Sequence, residues 1–202
     1  MEKFIYFTAR WLAAITFRFI FPLTIEGKEN IPHKGPCLIV ANHISFLDAI
    51  VLGFSLPMQV NYFAKDNLLN IFFVSRILAC LGAIPLERDT PSSMSLRAGL
   101  KVLKKNRALV VFPEGTRSKT GKRLPPKPGI GFLHVKSKAP IIPVLIRGTD
   151  KAMPVGARFI RPGSKITVSY GPALQTQEKD YIKISQLAMD EIDKLESLWK
   201  KN

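Results

Sequence analysis

Short β-type runs alternate with helical runs along nearly the whole chain, and this alternation constrains the fold more than any other feature. The β-type runs are LTIEG from Leu23, CLIVAN from Cys37, VNYFAK from Val60, AIPLER from Ala83, ALVVFP from Ala108, IIPVLIRG from Ile141 and KITVSY from Lys165. Helical patterns fall between them at Leu47 to Phe54, Leu68 to Leu81, Pro91 to Asn106 and Gly131 to Ser137. A last helix is expected from about Glu178 to Lys201, where Ile184, Leu187, Ala188, Ile192, Leu195, Leu198 and Trp199 keep a helical period. Such a pattern predicts an α/β fold: one domain with a mixed, largely parallel sheet flanked by helices. A chain of 202 residues, 47% hydrophobic, can bury the core this needs. In open sheets of this kind working residues gather beyond the carboxyl ends of the strands.

The N-terminus is different. KFIYFTARWLAAITFRFIFPL, beginning at Lys3, is almost wholly apolar and long enough to span a bilayer. It lacks the small-residue cleavage site of a signal peptide. Arg10 and Arg18 lie inside it, and each costs roughly 2.5–3.5 kcal/mol at a bilayer centre. Lys3, Arg10 and Arg18 fall on one side of a helical wheel, which favours a helix lying in the interface over a spanning one. The other reading is a helix that caps the core. Pro22 ends it. The expected organisation is a membrane-associating helix over residues 1–22 and a folded domain over 23–202.

The formal net charge of +15 requires a negative partner. Nucleic acid is disfavoured, because Lys and Arg are scattered and no nucleic-acid-binding motif or aromatic-interleaved basic stripe occurs. An anionic membrane surface or a phosphate-bearing small molecule remains. Cys37 and Cys80 sit in apolar runs without metal-type spacing and read as buried free thiols.

Chemistry concentrates at the ends of two strands. In VANHISFLDAIV, His43 and Asp48 are five residues apart. On a continuous helix that spacing separates the side chains by roughly 140°, so the helix must begin between them. His43 then lies in the turn, and Asp48 can reach back from the first helical turn. A helix N-terminus favours negative charge there. A carboxylate on one ring nitrogen sets the tautomer and leaves the other nitrogen as a base. Ser45 and Asp48 also fit a capping box, which alone would account for Asp48. No G-x-S-x-G occurs to supply a serine nucleophile, so the histidine would activate a substrate hydroxyl directly. His33 and His134 stand in unrelated contexts, no H-E-x-x-H occurs, and no metal site is expected.

The second cluster, VVFPEGTRS, places Glu114, Gly115, Thr116 and Arg117 after an apolar strand. Gly115 suits a β-turn and also permits close backbone approach to a ligand. Arg117 offers a fork for phosphate. Glu114 can hold that arginine or accept from a substrate hydroxyl. The following basic run KTGKRLPPK reads as a solvated loop, although Lys127 can close over an anion. GAIPLERD offers Arg88 as a further phosphate ligand, or as half of a surface ion pair with Glu87 or Asp89.

Together NHISFLD, GAIPLERD, FPEGTRS and APIIPVLI resemble, in order and spacing, the four motifs of the glycerolipid acyltransferases, closest to the 1-acyl-glycerol-3-phosphate acyltransferases of bacterial membranes. The resemblance runs from about Leu23 to Leu174. It implies that His43 is the general base and Asp48 its orienting partner. It implies that Arg88, Glu114, Gly115 and Arg117 bind the phosphate-bearing acceptor, with Thr116 and Lys127 beside them. Pro143 belongs to the motif linked with the acyl donor. The implied reaction moves an acyl group from acyl-CoA or acyl-carrier protein to the sn-2 hydroxyl of lysophosphatidate, with no cofactor. The implied location is the cytoplasmic face of the cell membrane, peripheral or monotopic. Ile44 and Asn67 depart from the family pattern, so a lyso-aminolipid or lysophosphatidylcholine stays open as acceptor.

Overall fold

A computed structural model of the chain describes residues 11, 14–58, 60–65, 82–86, 92–118, 123–157 and 159–200. The strands are β1 (Leu23–Glu26), β2 (Cys37–Ala41), β3 (Val60–Lys65), β4 (Ala83–Leu86), β5 (Ala108–Val111), β6 (Ile141–Arg147) and β7 (Ile166–Tyr170). The helices are α1 (14–20), α2 (Leu47–Ser55), α3 (Ser92–Lys104), α4 (Gly129–Ser137), α5 (Thr149–Ala152) and α6 (Tyr181–Trp199). Each β-type run forms a strand. The helix expected at Leu68 to Leu81 lies outside the described residues. The one-turn α5 and a 3-10 turn at Lys28–Asn30 are too short to leave a periodic signal. Helix α6 starts three residues later than its pattern suggests because Asp180 caps it, accepting from the backbone N–H of Ile182 and Lys183.

Among the described residues the sheet has seven strands in the order β1-β7-β6-β2-β5-β3-β4. Neighbours pair in parallel except β6 and β7, which are antiparallel. The expected mixed, largely parallel α/β sheet is therefore what forms. Strand β2 lies between β5 and β6, parallel to both. Their carboxyl ends share one edge, and the polar motifs follow from that edge.

Helices cover both faces, so β2 is apolar at every position and buried throughout. Cys37, Ile39 and Ala41 face one core with Leu47, Val51 and Leu52 of α2. Leu38 and Val40 face the other, with Val102 and Leu103 of α3, Leu133 of α4 and Ile184, Ala188 and Ile192 of α6. Gly131 allows α4 to touch the start of α6: a Cβ there would lie 2.1 Å from the carbonyl oxygen of Tyr181.

The end of the N-terminal helix does cap the core. Phe17 and Phe21 are buried, and the Phe17 ring lies 4.9 Å from that of Phe21 and 5.4 Å from that of Phe54 on α2. Trp11 and Phe19 point outward. Among the described residues no helix is long and apolar enough to cross a membrane.

Candidate active site

The site begins where β2 ends. Asn42 is buried, and its side chain bonds the backbone of Ile146 twice: Nδ2 donates to the carbonyl at 2.9 Å, and the Ile146 N–H donates to Oδ1 at 2.7 Å. The side chain thus extends the β2–β6 pairing by one step while its own backbone turns away. Only the tertiary fold shows this role, because the partner is 104 residues distant.

The turn places His43 before α2 and Asp48 at the second helical position. Asp48 is fully buried. Its Oδ2 accepts from the backbone N–H of Ile44 at 2.7 Å and of Ser45 at 2.8 Å, and from Nδ1 of His43 at 2.9 Å. The two sequence readings of Asp48 thus meet in one atom, which makes the carboxylate half of a capping box and also bonds the histidine. The other half is absent. Ser45 Oγ instead accepts from Leu47 N–H at 3.2 Å and donates to the Met153 carbonyl at 2.7 Å. A carboxylate oxygen already bonded to two N–H groups can only accept, so Nδ1 carries a proton, and in the neutral imidazole the lone pair is on Nε2.

The imidazole is also held on its face. It stacks on Phe112, with centroids 3.9 Å apart and planes 13° from parallel. Phe112 directly follows β5, whose parallel pairing with β2 brings the two loops together. The sequence offered Phe112 only as a strand residue.

The loop after β5 grips the main chain of His43 from both sides. The His43 N–H donates to Glu114 Oε1 at 3.4 Å, and the Ser118 N–H donates to the His43 carbonyl at 2.9 Å. Glu114 Oε2 accepts from Leu124 N–H at 2.9 Å, and the side chain is 3% exposed. Glu114 is therefore a brace between two loops. It has no ion pair with Arg117 among the described residues.

The remaining polar residues of the cluster face outward. Gly115 adopts φ 68°, and a Cβ there would lie 3.0 Å from Lys127 Nζ, so the lysine chain lies across the glycine. Thr116 is exposed. The Arg117 guanidinium sits 5.8 Å from the Phe46 ring centroid. Neither Arg117 nor Lys127 forms an ion pair among the described residues. Arg88, with Glu87 and Asp89, lies outside the described residues.

Pro143 is buried within β6, opposite Val40, and packs under Gly171 beside α6. One expectation changes, that of Arg123. Read as part of a solvated loop, it ties that loop to α6 through Asp193 and, at 3.1 Å, Glu196.

On the α6 side of the His43 turn lies a cavity of about 490 Å³, lined by Asn42, Ile44, Glu114, Arg123, Arg147 and Trp199 among others. The imidazole does not line it. Arg147 spans its wall, 4.3 Å from the Trp199 ring centroid and 3.4 Å from Glu26. Burial pulls the Arg147 pKa below its ordinary value, against the pull of Glu26. His134 is buried, with Nδ1 2.8 Å from the Ala139 carbonyl oxygen and Nε2 3.4 Å from that of Thr176, and is structural. No cluster able to hold a metal occurs among the described residues.

Residues 22–147 match the family model described as Acyltransferase. The chain is 35% identical over 162 residues to a chloroplastic 1-acyl-sn-glycerol-3-phosphate acyltransferase, BAT2, of Brassica napus, covering 79% of this chain and 47% of that protein. It is 32% identical over 125 residues to the 1-acyl-sn-glycerol-3-phosphate acyltransferase of Bacillus subtilis, covering 61% of this chain and 62% of that one. It thus spans about half the length of the chloroplastic relatives it matches. The crystal structure of the 1-acyl-sn-glycerophosphate acyltransferase PlsC from Thermotoga maritima superposes with a TM-score of 0.77 at 29% identity, covering 97% of this chain and 80% of that one.

Proposed function

The chain belongs to the acyltransferase family, and from that premise we propose that it acylates the sn-2 hydroxyl of lysophosphatidate, giving phosphatidate. The observation that carries the reading is the single oxygen of Asp48, which holds His43 Nδ1 at 2.9 Å and two backbone N–H groups at 2.7 and 2.8 Å. A base so oriented suits proton removal from a hydroxyl, typically worth ~10²–10⁴-fold in rate. The names of the relatives support lysophosphatidate as the acceptor.

In the proposed reaction Nε2 of His43 takes the hydroxyl proton as the oxygen attacks the carbonyl carbon of an acyl thioester. The new C–O ester bond forms, the C–S bond breaks, and the imidazolium returns the proton to the leaving thiolate. Either acyl-CoA or acyl-carrier protein can supply that thioester. Arg117 and Lys127, with Arg88, take the acceptor phosphate. The acceptor is a lipid, and the chain carries a net charge of +15. The reading therefore places the protein peripherally on the cytoplasmic face of an anionic membrane, where each basic residue near the surface adds about 1 kcal/mol.

The test is a donor-by-acceptor assay on purified protein in detergent. Lysophosphatidate and lysophosphatidylcholine are offered with acyl-CoA and acyl-carrier protein, with His43→Ala in parallel. Product from lysophosphatidate in the wild type, absent in the variant, is expected. Full activity in His43→Ala would end the mechanism, and product from lysophosphatidylcholine alone would replace the acceptor.

A further inference from the structure

One exposed apolar surface has no part in the site described above. The connection between α5 and β7 carries Phe159, 83% exposed, and Ile160, 41% exposed. Beside it α1 presents Phe19, 87% exposed, and ahead of α1 Trp11 is 63% exposed. Large apolar side chains this exposed gain nothing from the fold that carries them.

The backbone joins the two elements. Gly163 N–H donates to the Ile20 carbonyl at 2.8 Å, and Ile166 N–H donates to the Pro22 carbonyl at 2.9 Å. At its other end the connection is tied to α5, where Arg161 N–H donates to the Ala152 carbonyl at 2.8 Å. Helix α1 is itself fastened through Phe17 to Phe54 of α2. The aromatic tips therefore stand on a supported platform.

Exposed basic side chains flank them. Arg18, Arg161 and Lys165 are all exposed next to these residues. Aromatic and aliphatic tips set among exposed basic side chains match the interface of an anionic bilayer, apolar below and phosphate above.

We propose that the Phe159–Ile160 loop and the outer side of α1 form one two-part surface that inserts into an anionic lipid bilayer. The same connection runs back to the catalytic turn: Met153, just after α5, accepts a hydrogen bond from Ser45. Insertion at Phe159 therefore sets the orientation of the catalytic turn to the lipid as well as the attachment. The inference does not depend on the reaction, because lipid binding needs no turnover.

The experiment is co-sedimentation of the full chain with vesicles of phosphatidylglycerol and phosphatidylcholine, and with vesicles of phosphatidylcholine alone. Phe159→Ser/Ile160→Ser is expected to weaken partition onto the anionic vesicles about tenfold or more, with an unchanged melting temperature. Phe159→Leu/Ile160→Leu is expected to bind like the wild type. Ile182→Ser, removing another exposed apolar residue at the start of α6, is expected to bind normally. Equal partition of the double-serine variant and the wild type would overturn the proposal. So would equal binding to pure phosphatidylcholine, or loss of self-association in the double-serine variant with vesicle binding intact, which would make the surface a contact between copies.

Discussion

The imidazole of His43 lies flat on the ring of Phe112, 3.9 Å between centroids, while Asp48 holds its Nδ1 edge. One contact removes tilt and the other removes in-plane rotation. Together they aim Nε2 without any further hydrogen bond. Phe112 reaches this position because β5 pairs with β2, so the stacking is a product of the sheet order.

Phe112→Ala should therefore lower kcat about 10- to 100-fold with little change in KM, because a misplaced base loses rate before it loses substrate binding. Phe112→Tyr, which keeps the ring, should retain most activity. Steady-state kinetics on the two variants decides the point; a KM effect alone in Phe112→Ala would assign the ring to substrate binding.

Glu114→Gln should act first on stability. Glu114 accepts from the backbone of His43 and of Leu124 with its two oxygens, and Gln has only one acceptor oxygen. Leaving a buried N–H without a partner costs about 1–3 kcal/mol, or roughly 2–4 °C in Tm per kcal/mol for a domain of this size. Thermal unfolding measures this. An unchanged Tm with a raised KM for lysophosphatidate would restore Glu114 as a substrate ligand.

Arg117→Ala and Lys127→Ala should raise KM for lysophosphatidate while leaving the melting temperature unchanged. Neither side chain forms an ion pair among the described residues, so the fold gives up little when either is removed. Arg117→Lys should restore less than a full complement of binding, because lysine lacks the bidentate fork. Kinetics against a lysolipid without the phosphate provides the control; an equal loss there would detach both residues from the phosphate.

Cys37 should be inert. Burial pushes its thiol up to about 11 from an ordinary 9.0. Iodoacetamide at pH 8 should leave it unmodified in the folded protein and label it after unfolding, as read by peptide mass. The sign of the pH dependence follows. Between pH 9 and 11 the unfolded chain holds fewer protons at this site than the folded one, so stability falls as pH rises through that window, by about 2–3 kcal/mol in all. Cys37→Ala should flatten this part of the profile in denaturant titrations at stepped pH.

The local pattern of the chain determined its elements, because each strand or helix is specified by residues a few positions apart. The seven β-type runs and their alternation with helices, the helix beginning between His43 and Asp48, and the two polar motifs at strand ends all follow from such short-range spacing. The tertiary structure decided which ends meet. Nothing local in IIPVLIRG says that β6 pairs with β2 in parallel and with β7 in the opposite sense, or that Ile146 will bond Asn42. The same holds for Glu114, whose carboxylate could face a ligand or a backbone until the β2–β5 pairing brought His43 N–H within reach. Phe17 and Phe19 stand two positions apart in one apolar run, and only the packing of α1 buries the first and leaves the second outside; Phe159 is left exposed by the course of the α5–β7 connection. Periodicity reports which side of an element is apolar, but burial is the outcome of a competition among all the elements for the same two faces of one sheet.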